Sequence, residues 1–170
     1  MTYINRQPAN RPPVAPISRA ARAGARLALA AAAVAGAAAA PAQEAPQHLP
    51  TITLRAGMYN ILAEVAQTPR QREVGLMKRT DLAQHQGMLF AFEQPGVQCF
   101  WMRNTLIPLA AAFIDDDGAI VNVEEMAPQT DTSHCSAKPV RYVLEMNKGW
   151  FAKRGFTAGF KLDGTPFRAP

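Results

Sequence analysis

The chain has 170 residues, one domain's worth, and a formal net charge of +5. Residues 1–42 hold five arginines and no acid, whereas residues 43–170 carry equal numbers of basic and acidic side chains. The part able to fold therefore has no net charge, which argues against a nucleic-acid binder.

The first 42 residues read as an export signal. Arg19, Arg22 and Arg26 form a positive n-region, and Leu27 to Ala40 is almost pure Ala, Leu and Val. Ala40-Pro41-Ala42 offers small residues at cleavage spacing, with Gln43 next. The apolar run is short for a membrane span, which needs about 20 residues. An uncleaved anchor is the alternative and would be the chain's one link to a membrane. Neither an Arg-Arg pair nor a lipobox cysteine accompanies this region. The expected location is the periplasm or outside the cell.

Residues 43–50 form a polar lead-in, and residues 51–165 form the domain. Thr51–Arg55 and Asn60–Gln67 alternate as strands. Thr68-Pro69 starts a short helix, with Thr68 as N-cap and Pro69 in the first turn, and Gly75 ends it. Met88–Phe92 is the next strand, Glu93–Gly96 a turn and Val97–Met102 another strand. Asn104–Pro108 is irregular, because Pro108 bars a helix. Ala110–Ile114 and Ala119–Val123 flank Asp115-Asp116-Asp117-Gly118 as a hairpin. Residues 124–139 form a loop long enough to be functional. Val140–Met146 is a strand, Lys148–Arg154 a second short helix and Phe160–Leu162 a last short strand. These elements predict a mostly β, compact single-domain sandwich or barrel with two short helices. No helix is long enough for repeated βαβ crossovers.

Cys99 and Cys135 are the two cysteines. In an exported chain they could form a disulfide closing a loop of about 35 residues. A buried free thiol at Cys99 is equally ordinary. Without a CxxC pair, thiol–disulfide exchange is not expected.

The motifs GLMKR (75–79), GMLFAF (87–92), FWMRNTLIPL (100–109), D-x-x-G-x-I (115–120) and RYVLEMNKGW (141–150) occur in this order. Together they resemble the DUF192 family over about residues 52–163. The resemblance implies a small, often exported, mostly β prokaryotic domain without an established activity. It places the family's recurring polar residues at Arg72, Arg79, Arg103, Asn104, Thr105 and Glu145. Two departures occur: Ala110 stands where relatives often have Asp, and Phe160 follows Gly159 where Gly-Asp is common.

Trp101, Arg103, Asn104 and Thr105 are the leading ligand-binding candidates. Arg offers a planar fork of donors for a carboxylate, Asn offers a donor and an acceptor, and Trp101 offers a stacking face. The same residues could instead satisfy backbone groups, with Arg103 paired to Glu145 or Asp81. Asp131, His134 and Cys135 are the loop candidates. His85, His134, Cys135 and Asp131 assemble at best a weak triad, and Glu124 with Glu145 a carboxylate pair. Neither a metal-ligand spacing nor a cofactor motif is present, and the three aspartates fit a turn better than a calcium loop. Arg70, Arg72, Lys78 and Arg79 form a basic cluster, either a solvated face or a dock for an acidic partner. The sequence thus points to a non-enzymatic binding or accessory domain for an unknown small ligand or envelope component. The alternatives are a small envelope hydrolase acting on glycan or peptide, and a structural or protein-interaction module.

Overall fold

The structure, a computed structural model, describes residues 45–167. The expected leader and the cleavage position after Ala42 lie outside these residues. The described residues form strands β1 (Thr51–Ala56), β2 (Tyr59–Ala66), β3 (Gln86–Gly96), β4 (Cys99–Phe100), β5 (Leu109–Ile114), β6 (Ile120–Met126), β7 (His134–Cys135) and β8 (Val140–Asn147). One helix, α1 (Pro69–Val74), and one 3₁₀ turn, Ala152–Arg154, accompany them. Six strands form a mixed sheet in the order β1-β2-β3-β8-β5-β6, and β4 pairs with β7.

The mostly β, compact fold expected from the pattern is present. Of the two architectures considered, a closed barrel does not form: β1 and β6 remain opposite edges. The segment around Leu162 ties those edges together at one end. Arg55 and Asp163 exchange backbone hydrogen bonds at 2.9 and 2.8 Å, while Leu162 N–H donates to Gly118 O at 2.9 Å. The last short strand expected at Phe160–Leu162 exists as these isolated bridges.

Other boundaries differ for local reasons. β2 and β3 run parallel, from Leu62 opposite Gln86 to Ala66 opposite Phe90, so one βαβ crossover exists after all. Six helical residues suffice because residues 75–85 complete the connection. Thr68 caps α1: its hydroxyl accepts from Gln71 N–H, and the Gln71 side chain accepts from Thr68 N–H in return. The turn expected at Glu93–Gly96 is instead extended chain, with a pairing irregularity between Ala91 and Gly96. Cys99–Phe100 replaces the longer strand expected at 97–102, and most of the second helix reduces to turns.

Apolar residues cover both faces of the sheet. One layer sets Leu54, Ile61, Leu89, Ala112 and Leu144 against Trp150, Phe151 and Phe156. The other sets Met88, Phe90, Ala111, Phe113 and Val143 against Leu76, Phe100, Met102 and Ile107. Every residue of β5 is buried, as expected for a strand covered on both sides. The candidate recognition residues lie where Phe100 and Met102 leave this second layer.

Candidate functional site

Two loops are zipped together beside β4. Met102 N–H donates to Thr130 O at 2.9 Å, and Gln129 N–H reaches both Met102 O and Thr105 O at 3.1 Å. Asn104 and Gln129 make this possible by adopting φ of 60° and 57°, conformations that suit glycine or asparagine best. The zipper brings Asp131, from the loop after β6, alongside Arg103, from the loop after β4.

Arg103 is the centre of the resulting cluster. Its guanidinium lies over the Trp101 ring, 4.1 Å from the centroid. Its Nε donates to Asp131 Oδ1 at 2.8 Å. That hydrogen bond raises the Arg103 pKa and lowers the Asp131 pKa, so the pair stays ionised together. Half of the Arg103 side chain remains exposed, and its two terminal nitrogens make no hydrogen bond to other described residues. The guanidinium is therefore fixed by one face and one edge, with its outer fork facing solvent. Asn104 is also exposed, whereas Thr105 is fully buried and Trp101 half-buried. Of the four leading candidates, only Arg103 and Asn104 are thus well presented to a ligand. The pairing of Arg103 with Glu145 or Asp81 considered from sequence is not what forms; Asp131 takes that role because the loop zipper delivers it.

The other candidates lead elsewhere. Cys99 and Cys135 form a disulfide across the β4–β7 pair, so Cys135 has no thiol to act as nucleophile or metal ligand. His134 faces Glu124, with Nδ1 3.5 Å from the carboxylate. Among the described residues, no three His, Cys, Asp or Glu side chains converge as a metal site would require. The basic cluster around α1 also divides. Arg72 is buried, donating to the carbonyls of Gln67 and Ala91 while stacking on Phe92. Arg79 is buried against Glu64, 2.7 Å from each carboxylate oxygen. Only Arg70 and Lys78 stay exposed, so a continuous basic dock is not presented.

One cross-strand row carries three glutamates. Glu64 on β2 lies beside Met88 on β3, then Glu145 on β8, Ala111 on β5 and Glu124 on β6. Arg79 neutralises Glu64, and His134 sits beside Glu124. Glu145 has no such partner: it is fully buried, and neither carboxylate oxygen has a hydrogen bond to another described residue. Burial raises its pKa to about 8, so it is protonated at neutral pH. With no exposed surface, Glu145 shares no opening with Glu124, and the two do not form an accessible carboxylate pair. The near-continuous apolar run of β8, buried without a break from Tyr142 to Met146, is the signal that Glu145 lies inside. The Glu64–Arg79 pairing had only a weak signal, a lone acid on the mixed face of β2.

Fold and site together define a small open-sheet domain with apolar layers on both faces and a preorganised arginine at one rim. The chain belongs to the DUF192 family, described as "Uncharacterized ACR", whose profile matches residues 52–164. It is similar to a crystal structure from Novosphingobium aromaticivorans DSM 12444, a protein of unknown function. The two are 34% identical with a TM-score of 0.66, over 75% of this chain and 94% of that one. It is also similar to a protein from Sinorhizobium meliloti 1021, provisionally described as a transcription regulator. That pair is 35% identical with a TM-score of 0.64, over 71% of this chain and 97% of that one. No functionally curated protein matches the chain.

Proposed function

We propose that this DUF192 protein is an exported, non-enzymatic binding domain that recognises a carboxylate-bearing component of the cell envelope through Arg103. The observation that carries the reading is the state of that side chain. Trp101 and Asp131 hold it in place, yet its terminal nitrogens remain open. An arginine fixed in this way loses little freedom on binding, and its fork matches a carboxylate in two parallel hydrogen bonds. Asn104 beside it adds a donor and an acceptor. Export rests on the leader before Gln43 and agrees with a disulfide in the domain. The regulator description of the Sinorhizobium relative finds little support here, because residues 43–170 carry no net charge for DNA to attract.

The test is a titration of the full chain with a muramyl peptide bearing free carboxylates, and with neutral chitobiose as control. The indole N–H resonance of Trp101 reports binding, and that of Trp150 serves as internal reference. The acidic probe should shift Trp101 saturably and the neutral one should not. Arg103→Ala should weaken binding roughly ten- to a hundredfold, the usual range for losing a charged hydrogen-bond partner. Arg103→Lys should restore only part of it, since an ammonium cannot form the fork. Equal responses of wild type and Arg103→Ala would sink the proposal.

A further inference from the structure

A second, separate cavity lies between the start of the domain and the segment after α1. Its volume is about 340 Å³, and Pro46, His48, Glu64, Lys78, Arg79, Thr80, Asp81 and Gln86 line it. We propose that it binds a small zwitterion of the α-amino acid class, with Lys78 meeting the carboxylate and Asp81 the ammonium.

The argument begins with the charges already satisfied. Glu64 receives both terminal nitrogens of Arg79 at 2.7 Å and the Leu49 N–H at 2.7 Å. This floor is neutral and saturated, so neither of its charges is left for a ligand. The charges left over are one of each sign. Lys78 is exposed and has no ion pair among the described residues. Among the described residues the Asp81 carboxylate receives only the Thr80 hydroxyl, at 3.2 Å. The Gln86 side chain also makes no hydrogen bond to another described residue.

The backbone supplies an independent sign of function. Lys78 has φ of 63°, a left-handed conformation that a long side chain rarely adopts. Its N–H is held by Asn104 O at 2.9 Å. Non-glycine residues kept in such conformations cluster at binding sites, and this one stands on the wall of a cavity.

Charge then selects the ligand class. A phosphate or dicarboxylate would meet Lys78 but also the Asp81 carboxylate. A metal ion would lack three converging ligands among the described residues. An apolar ligand would strand the unpaired charges away from water. A molecule neutral overall, with a carboxylate and an ammonium on one carbon, satisfies both leftover groups, and the volume suits one of modest size. This proposal does not depend on Arg103.

The experiment is a ¹H–¹⁵N titration of the full chain with L-alanine. Sodium acetate and methylammonium chloride, matched in ionic strength, each supply one half of the ligand. L-Alanine should move the amides of Lys78, Thr80, Asp81 and Gln86 saturably, with each half-ligand at least tenfold weaker. Lys78→Met and Asp81→Asn should each weaken alanine binding at least tenfold. Both altered side chains are exposed, so neither change threatens the fold. The proposal is overturned by unsaturable shifts, by acetate or methylammonium matching alanine, or by both charge variants binding as wild type does.

Discussion

Wild-type stability should fall as pH rises from about 4.5 to about 8, and Glu145→Met should abolish that fall. Glu145 is fully buried on the sheet face shared with Met88 and Ala111, its neighbours in register. Neither side chain offers a hydrogen bond or a compensating charge. The unfolded chain ionises this carboxyl with a pKa near 4.5, whereas burial holds it near 8 in the fold. Below 4.5 both states keep the proton and the contribution is constant. Between the two values the folded state retains a proton that the unfolded state has lost. Stability then declines by up to about 1.4 kcal/mol per pH unit, and above 8 the decline stops. The total is of the order of several kcal/mol, a large share of a small domain's stability. Methionine has similar reach and no charge to desolvate, so the variant should be more stable than wild type by a margin that grows with pH. Urea unfolding at pH 5, 6.5 and 8 checks this directly. Parallel profiles for the two proteins would show that Glu145 is not the buried acid that governs them.

What could be read in advance divides along a physical line. Periodicity showed β1, β2, β5, β6 and β8, because each alternates or runs apolar over several residues. Thr68-Pro69 showed the start of α1, because capping chemistry is local. The parallel pairing of β2 with β3 was not legible, since nothing in either strand encodes its partner's direction. The short β4–β7 pair was hidden for a related reason: two residues have no period. Its disulfide was legible only as one of two readings of Cys99. At the candidate site, the residue types at 101–105 singled out one loop, but the partner of Arg103 did not follow from them. Asp131 reaches Arg103 through Gln129 and Thr130, whose contributions to the zipper are backbone hydrogen bonds that their side chains do not announce. The basic cluster misled because side-chain type says nothing about burial. Arg72 and Arg79 turn inward to carbonyl groups and Glu64 rather than outward to a partner.

Removing the disulfide should both destabilise the domain and loosen the Arg103 cluster. Cys99 and Cys135 are 36 residues apart, and closing a loop of that length restricts the unfolded chain by about 4 kcal/mol in the loop-entropy view. Cys99→Ser/Cys135→Ser should therefore lower the urea midpoint substantially. The second consequence follows from position. Cys99 precedes Trp101 and Arg103 on one arm, and Cys135 follows Asp131 on the other. The bond holds the two arms together at the β4–β7 pair, while Phe100 anchors the first arm in the apolar layer. Without it, the loop zipper must hold Asp131 against Arg103 unaided. The Arg103 Nε–H resonance, slowed in exchange by its bond to Asp131, should broaden or vanish in the double variant under conditions where the domain remains folded. The Trp150 indole, packed in the opposite layer, should stay unchanged. A double variant that keeps the Arg103 Nε–H signal would mean that the zipper alone organises the site, and that the disulfide acts on stability only.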